Sequence, residues 1–597
     1  MNANIAALLR SAADRHPDTT ALVVGEDRYS WTELDRAVDA FAAGCLRRGI
    51  RAGERVALLL GNSYEFVVAY LGTVRAGLVA VPLNPAYTAP EVALMLRDCG
   101  ARLLLVQEAT ARVGSAAADA LPGCELVDVS VAWEGLLDRD AVLAETETSP
   151  ESLALLLFTA GTSGRPKGAM LTHGALRANV EDLLSLTDPP AVADDDVVLL
   201  VLPLFHVYGL NTALALSVAA GATIVLTDRF DPVESLALIA RHRVTTVAGV
   251  PGMYRAWCAV PGVGEAMATV RLLSSGAAPL PVRTYEQFAE LTGLRIYEGY
   301  GMTETAPVVS TTLVSGAPKP GSVGRPLPGV EVRLVEEGVD GAEDVDDGDP
   351  GEVWIRGRSV FAGYWPDGAG GPDADGWFHS GDVAYADEDG DLHLVDRRRE
   401  VILVNGFNVY PREIEQVIDD VPGVGEVAVV GVPDDVTGEA VVALVVPKVG
   451  ATVAPDVVLA HCAQRLARFK CPSIVRVVPE LPHSATGKIA KGRLREVYGD
   501  VAYGEGPCTS PSSASPVAIC ATTRGRSWSG RARRRGRPGT SSRSWTIRCW
   551  RTSTRSRSRW CSSTGVSSTS GGSTRRAWRP DSREADRYPD VNVRSTL

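Results

Sequence analysis

Short apolar runs recur along the first half of the chain, at 55–60, 103–106, 153–158, 197–202, 223–226 and 245–250, and stretches with helical spacing lie between them. This alternation constrains the fold more than any other feature. Strands of four to six apolar residues are buried on both faces, and strands that alternate with helices pair in parallel. The helical stretch 32–48 carries Leu34, Ala37, Val38, Phe41, Ala42 and Leu46 on one face, and Ser30 with Glu33 forms a capping box at its start. The predicted class is therefore α/β, with layered, mostly parallel sheets covered by helices. A chain of 597 residues also exceeds one hydrophobic core. The expected division is a large N-terminal domain over 1–395, a hinge in the charged run 396–400, and a small mobile α+β domain over 401–500.

Hydrophobic residues make up 45% of the chain and charged residues 22%, the balance of a globular protein. No basic start followed by an apolar stretch opens the sequence, and the apolar region 197–226 is broken by Pro203, His206 and Asn211. A cytoplasmic location without an integral membrane segment is expected, leaving room for peripheral membrane contact. Cys45, Cys99, Cys124, Cys258, Cys462 and Cys471 form no CxxC pair, so zinc or a redox dithiol has no support. The net charge of -12 argues against a nucleic-acid partner.

From about Pro507 the text changes to Arg, Ser and Thr punctuated by tryptophans, with no Lys and no acid before Asp581. Neither a disordered tail nor a folded domain has this composition. Residues 501–597 are read as an aberrant, unstructured tail, an out-of-frame translation of GC-rich coding sequence, with a basic interaction arm as the rival. Nineteen arginines against four acids after position 506 put +15 on the tail and leave -27 on the rest.

The segment LLLFTAGTSGRPKGAMLTHG runs from an apolar strand into a loop whose backbone N–H groups suit phosphates. Thr159, Gly161, Thr162, Ser163, Gly164 and Lys167 supply hydroxyls, ammonium and close backbone approach. Pro166 before Lys167 and Gly168 after it rule out a Walker A loop. Further on stand SSGAAPL with Gly276, Ala277 and Ala278, YEGYGMTET with Glu298, Gly299, Tyr300, Gly301, Met302, Thr303 and Glu304, and GWFHSGDVAYADEDG with Asp382. The run DRRRE holds Arg397 and Arg399, GFNVYPREIE holds Gly406 and Phe407, and LPHSATGKIAKGRLRE holds Lys488. Gly423, Gly425 and Ala428 fit a dinucleotide pattern, but a helix precedes them and a strand follows, the reverse of a Rossmann unit.

These motifs, in this order over about 4–498, resemble the adenylate-forming superfamily of acyl-CoA synthetases, luciferases and peptide-synthetase adenylation domains. Residues 159–168 match its phosphate loop except at Ala160, where a Ser is usual. The resemblance implies that Tyr300 stacks on adenine, Thr303 contacts phosphate, Glu304 holds Mg2+, and Asp382 and Arg397 bind the ribose hydroxyls. It makes Lys488 the catalytic lysine that bridges the substrate carboxylate and the α-phosphate, and Arg399 the hinge. Glu298 and Gly299 fall in the nucleotide motif, and Gly406 and Phe407 near the coenzyme A path. The segment PLFHVYGL, with His206 and Tyr208, resembles the acyl pocket, completed by Gly301 and Met302. His206 stands where amino-acid-activating relatives carry an Asp, and Gly301 where acetate-specific relatives carry a floor-forming Trp. The implied reaction is ATP-dependent activation of a medium- or long-chain fatty acid to acyl-AMP, followed by transfer to coenzyme A. An aryl-acid ligase and an acyl-AMP ligase loading a carrier protein are the near alternatives; the latter group's interdomain insertion is not apparent here. A non-enzymatic scaffold would have lost Lys167, Glu304, Asp382 or Lys488.

Overall fold

A computed structural model describes residues 3–119, 121–141, 148–159, 166–338, 341–346, 348–397, 400–404, 407–434, 438–483, 489–491 and 493–494. Two sheets dominate residues 3–326. One has six strands, in the order Glu125–Asp128, Leu103–Val106, Arg55–Leu59, Val79–Pro82, Leu153–Thr159 and Lys167–Thr172, parallel except for the last. The other has nine; its parallel centre runs Ile296–Gly301, Leu272–Ser275, Thr246–Gly249, Val197–Leu200, Thr223–Leu226 and Thr20–Val24. The predicted class is the observed one, and strand ends differ by a residue or two, as where 245–250 is Thr246–Gly249.

One face of each sheet is buried in a shared core, and their opposite faces are buried in two separate clusters. The helix Trp31–Arg47 presents Leu34, Val38 and Phe41 to the shared core, all fully buried, and Ser30 and Glu33 close the expected capping box. Its neighbour Tyr64–Arg75 is apolar nearly all round because it lies between layers. Two smaller sheets follow. A five-stranded antiparallel sheet spans Val330–Gly338 to Leu392–Arg397, and a last one, Ile402–Val404 to Ile474–Val477, packs on the helices Pro411–Asp419 and Pro455–Ala463. The strand expected at 427–430 is the middle of Val424–Asp434 and follows a helix, against a Rossmann order. No helix among the described residues is long and apolar enough to cross a membrane.

The six cysteines among the described residues are free, and burial pushes the Cys45 and Cys99 thiols up to about 12, which keeps them as inert packing groups. Ala160, Gly161, Thr162, Ser163, Gly164, Arg399, Gly406, Lys488 and the tail lie outside the described residues, as do the side chains of Arg397 and Phe407.

Candidate active site

Open parallel sheets gather ligands at the carboxyl ends of their strands. Four adjacent strands of the nine-stranded sheet end here on the motif residues. Val197–Leu200 leads to His206 and Tyr208, Thr246–Gly249 ends on Gly249, Leu272–Ser275 leads to Gly276, Ala277 and Ala278, and Ile296–Gly301 leads to Met302, Thr303 and Glu304.

The turn after Leu272–Ser275 is held from the next strand. The Leu280 N–H donates to Glu298 Oε1 at 2.9 Å, and Ala277 takes a left-handed φ of +67°. Burial pushes the Glu298 carboxyl up to about 8, although the Leu280 bond and the charge of Arg412 pull the other way. Glu298 is thus a neutral brace of the turn at pH 7. Tyr208 packs its ring over Gly276, where an added Cβ would lie 3.1 Å from the ring, and its hydroxyl sits 3.3 Å from the Gly249 carbonyl and 3.4 Å from Ser274 Oγ. Burial pushes that phenol up to about 12. The His206 Nδ1 accepts the Tyr208 N–H at 3.2 Å, which turns the ring at the start of a π-helix, Tyr208–Ala215. Such helices are frequent at functional sites.

Tyr300 is buried, and its hydroxyl donates to Asp382 Oδ2 at 2.7 Å, joining the nucleotide motif to the antiparallel sheet. Asp382 is directly opposite Arg397 across two strands. At Gly301 the packing makes a demand of its own. The residue's missing Cβ would point at the Pro307 carbonyl oxygen, 2.0 Å away, so glycine is demanded by the close approach of 301 and 307.

The phosphate loop does not lead into a helix. Its flanking strands Leu153–Thr159 and Lys167–Thr172 pair antiparallel, with Thr159 opposite Lys167, so Lys167 is the first residue of a return strand. Residues 361–371 lie along that strand. The Trp365 N–H donates to the Gly168 carbonyl at 2.8 Å, and the Met170 N–H to that of Gly363 at 3.0 Å. Tyr364, in this strap, donates its hydroxyl to Glu304 Oε1 at 2.6 Å while Lys167 Nζ lies 5.1 Å from its ring centre.

Three further residues shape the site without having stood out in the sequence. Asn62 accepts the Leu204 N–H at 2.8 Å and donates to the Leu202 carbonyl at 2.9 Å, fixing the turn before His206. Asn211 donates to the Ala306 carbonyl at 2.6 Å, behind Glu304. Tyr364 is the third. A polar Asn inside an apolar run is a signal for Asn211, whereas Asn62, between Gly61 and Ser63, carries none.

The sequence matches the model of the AMP-binding enzyme over residues 9–365 and that of the AMP-binding enzyme C-terminal domain over 413–488. It is 38% identical over 492 residues to a feruloyl-CoA synthase of an Amycolatopsis species, covering 81% of this chain and 96% of that one. Against a long-chain-fatty-acid–CoA ligase of Bacillus subtilis the identity is 31% over 533 residues, 83% of this chain and 94% of the relative. The crystal structure of ATP-bound MatB from Rhodopseudomonas palustris superposes with a TM-score of 0.78 at 34% identity, over 84% of this chain and all of that one. With both family models matched in order and the motifs gathered at the strand ends, the chain belongs to the AMP-binding enzyme family, that of the AMP-forming acid–CoA ligases.

Proposed function

We propose that this acid–CoA ligase activates a carboxylic acid with an apolar body, a medium- or long-chain fatty acid first, by the two-step route through an acyl-adenylate. The observation that carries the reading is a pair of contact sets built on the motif residues: Tyr300 bonded to Asp382, and Lys167 and Glu304 both held by Tyr364, one through its ring and the other through its hydroxyl. Each has the chemistry its step needs. Tyr300 offers a ring to adenine, and Asp382, with one oxygen on Tyr300, keeps acceptor capacity for the ribose hydroxyls. Lys167 and Thr159, with the loop between them, meet the β- and γ-phosphates, and Thr303 meets the α-phosphate. Gly276, Ala277 and Ala278 lie against the base, and Glu298 keeps their turn in shape.

A hard divalent cation takes oxygen ligands. The half-buried carboxylate of Glu304, with one oxygen held by Tyr364, fits Mg2+. When bound, the cation offsets charge on the triphosphate. His206 stands at the carboxylate end of the acid, and Lys488 bridges the carboxylate and the α-phosphate, offsetting the charge that builds as one anion attacks the other. Pyrophosphate leaves. The small domain then turns about Arg399, withdrawing Lys488 and admitting the thiol of coenzyme A past Gly406 and Phe407.

A second reading, an aryl acid, is favoured by one specific observation. The Tyr208 ring, in the segment that resembles the acyl pocket, lies on Gly276 with its hydroxyl near Gly249 and Ser274. The feruloyl-CoA synthase relative supports the same reading. A flat acid stacks on such a ring. Pyrophosphate release with ATP and Mg2+, measured for acetate, octanoate, palmitate and ferulate with and without coenzyme A, separates the two. Turnover of octanoate or palmitate that coenzyme A accelerates is the expected result. Turnover of ferulate alone moves the assignment to the aryl acids, and release indifferent to coenzyme A moves it to carrier-protein loading.

A further inference from the structure

We propose that Tyr364 is a positioning residue of the adenylation step, one that sets the Glu304 carboxylate for the divalent cation and at the same time keeps Lys167 and Glu304 apart. The backbone of Tyr364 is fixed from two sides. Its N–H donates to the Ala369 carbonyl at 3.1 Å and its carbonyl accepts the Gly368 N–H at 2.8 Å, while the adjoining Gly363 and Trp365 bond to Met170 and Gly168 of the phosphate-loop strand. Trp365 is pinned again, its indole N–H donating to the Asp98 carbonyl at 2.9 Å and its ring lying under Arg55. On the far side, the Phe361 N–H donates to the Glu304 carbonyl at 2.9 Å. The strap therefore ties the two motifs together through backbone bonds, and the Tyr364 side chain joins their functional groups.

The order of those groups is the point. Lys167 is an exposed cation at the mouth of the loop, and Glu304 a half-buried anion. Placed in contact they would neutralise each other, and binding ATP would first have to break the pair. Among the described residues they do not touch. The phenol stands between them, its ring face toward the ammonium at 5.1 Å and its hydroxyl toward the carboxylate at 2.6 Å. A ring face holds a cation without quenching it. A hydroxyl that donates to one carboxylate oxygen fixes the rotation of the group and leaves the other oxygen to a metal.

The inference rests on the reading of Glu304 as the cation's carboxylate, so the experiment tests both. The full chain is titrated with Mn2+ in the presence of α,β-methylene-ATP, free Mn2+ being read by electron paramagnetic resonance, for the parent, Y364F, E304Q and the double variant. Binding of the analogue without metal and the melting temperature are followed alongside. Y364F is expected to weaken Mn2+ binding about tenfold, with metal-free nucleotide binding and melting unchanged, and to have no further effect in the E304Q background. Y364L, which also removes the ring, is expected to raise the KM for ATP about threefold or more. If Y364F binds Mn2+ as the parent does while E304Q does not, the role of Tyr364 is overturned and that of Glu304 stands. If E304Q too binds as the parent does, the reading of Glu304 falls and the inference with it. An equal loss from Y364F in both backgrounds also overturns it, because the effect then does not pass through Glu304.

Discussion

Glu298 is the residue whose chemistry the fold changes most. Read in the sequence, it is one more polar letter of a nucleotide motif; in the fold it is a buried acid on the Leu280 N–H, with its carboxyl pushed up from the ordinary 4.5 to about 8. Between those two values the folded chain holds a proton that the unfolded chain has released, so stability falls as pH rises from 4.5 to 8. The loss is at most about 1.4 kcal/mol for each pH unit. Glu298→Gln keeps the acceptor for Leu280 and has nothing to titrate. It is expected to melt at or above the parent temperature at pH 8 and to lose that margin at pH 5, as differential scanning calorimetry at the two pH values would measure. Tyr364 teaches the complementary lesson. Residues whose type alone announces chemistry, such as Lys167 and Glu304 in dense motifs, were legible, whereas a tyrosine sixty positions from the carboxylate it holds was not. Nothing local distinguishes it from a packing aromatic.

At the scale of elements, period and punctuation carried the strands and the long helix. The run at 103–106 became Leu103–Val106 unchanged, and the helix expected over 32–48 became Trp31–Arg47 behind its capping box. The π-helix Tyr208–Ala215 was not legible, because one more residue per turn depends on the strand ends and loops it packs between. Nor was the return strand after the phosphate loop, since an apolar strand before a glycine-rich loop reads the same whether a helix or a strand follows. The Ile296–Gly301 and Val308–Thr311 strands also bring a packing demand that no motif announced. At Gly301 even one methyl group would meet the Pro307 carbonyl. Gly301→Ala is therefore expected to cost roughly 2–4 kcal/mol and to weaken nucleotide binding with every acid alike. A thermal melt and the KM for ATP across the acid panel measure this. A change confined to the longest acids, with ATP binding intact, would instead make the pocket floor the stronger demand at this position.

For the whole molecule, the expected division into a large domain, a hinge at 396–400 and a small domain is a proposal that the two family models, ending at 365 and resuming at 413, accommodate. Small-domain charges face the large one: Glu426 lies 3.9 Å from Arg255, and Arg283 acts on Asp419. Leu494 closes a small apolar cluster with Val478 and Leu481 against the last sheet. A chain ending at Asp500 keeps that cluster and the proposed catalytic lysine. It is expected to retain both half-reactions within about twofold, as pyrophosphate exchange and thioester formation would measure; loss of either would give the arginine-rich tail a role. The bond between Tyr300 and Asp382 has a consequence during synthesis. Its partners are 82 positions apart, and Asn62 reaches 142 positions to Leu204. A nascent chain therefore cannot close the Tyr300 bond, nor complete the proposed nucleotide site, until Asp382 and the strand that carries it have left the ribosome. ATP can reward only the finished large domain, and cannot serve as a template on which its earlier strands assemble.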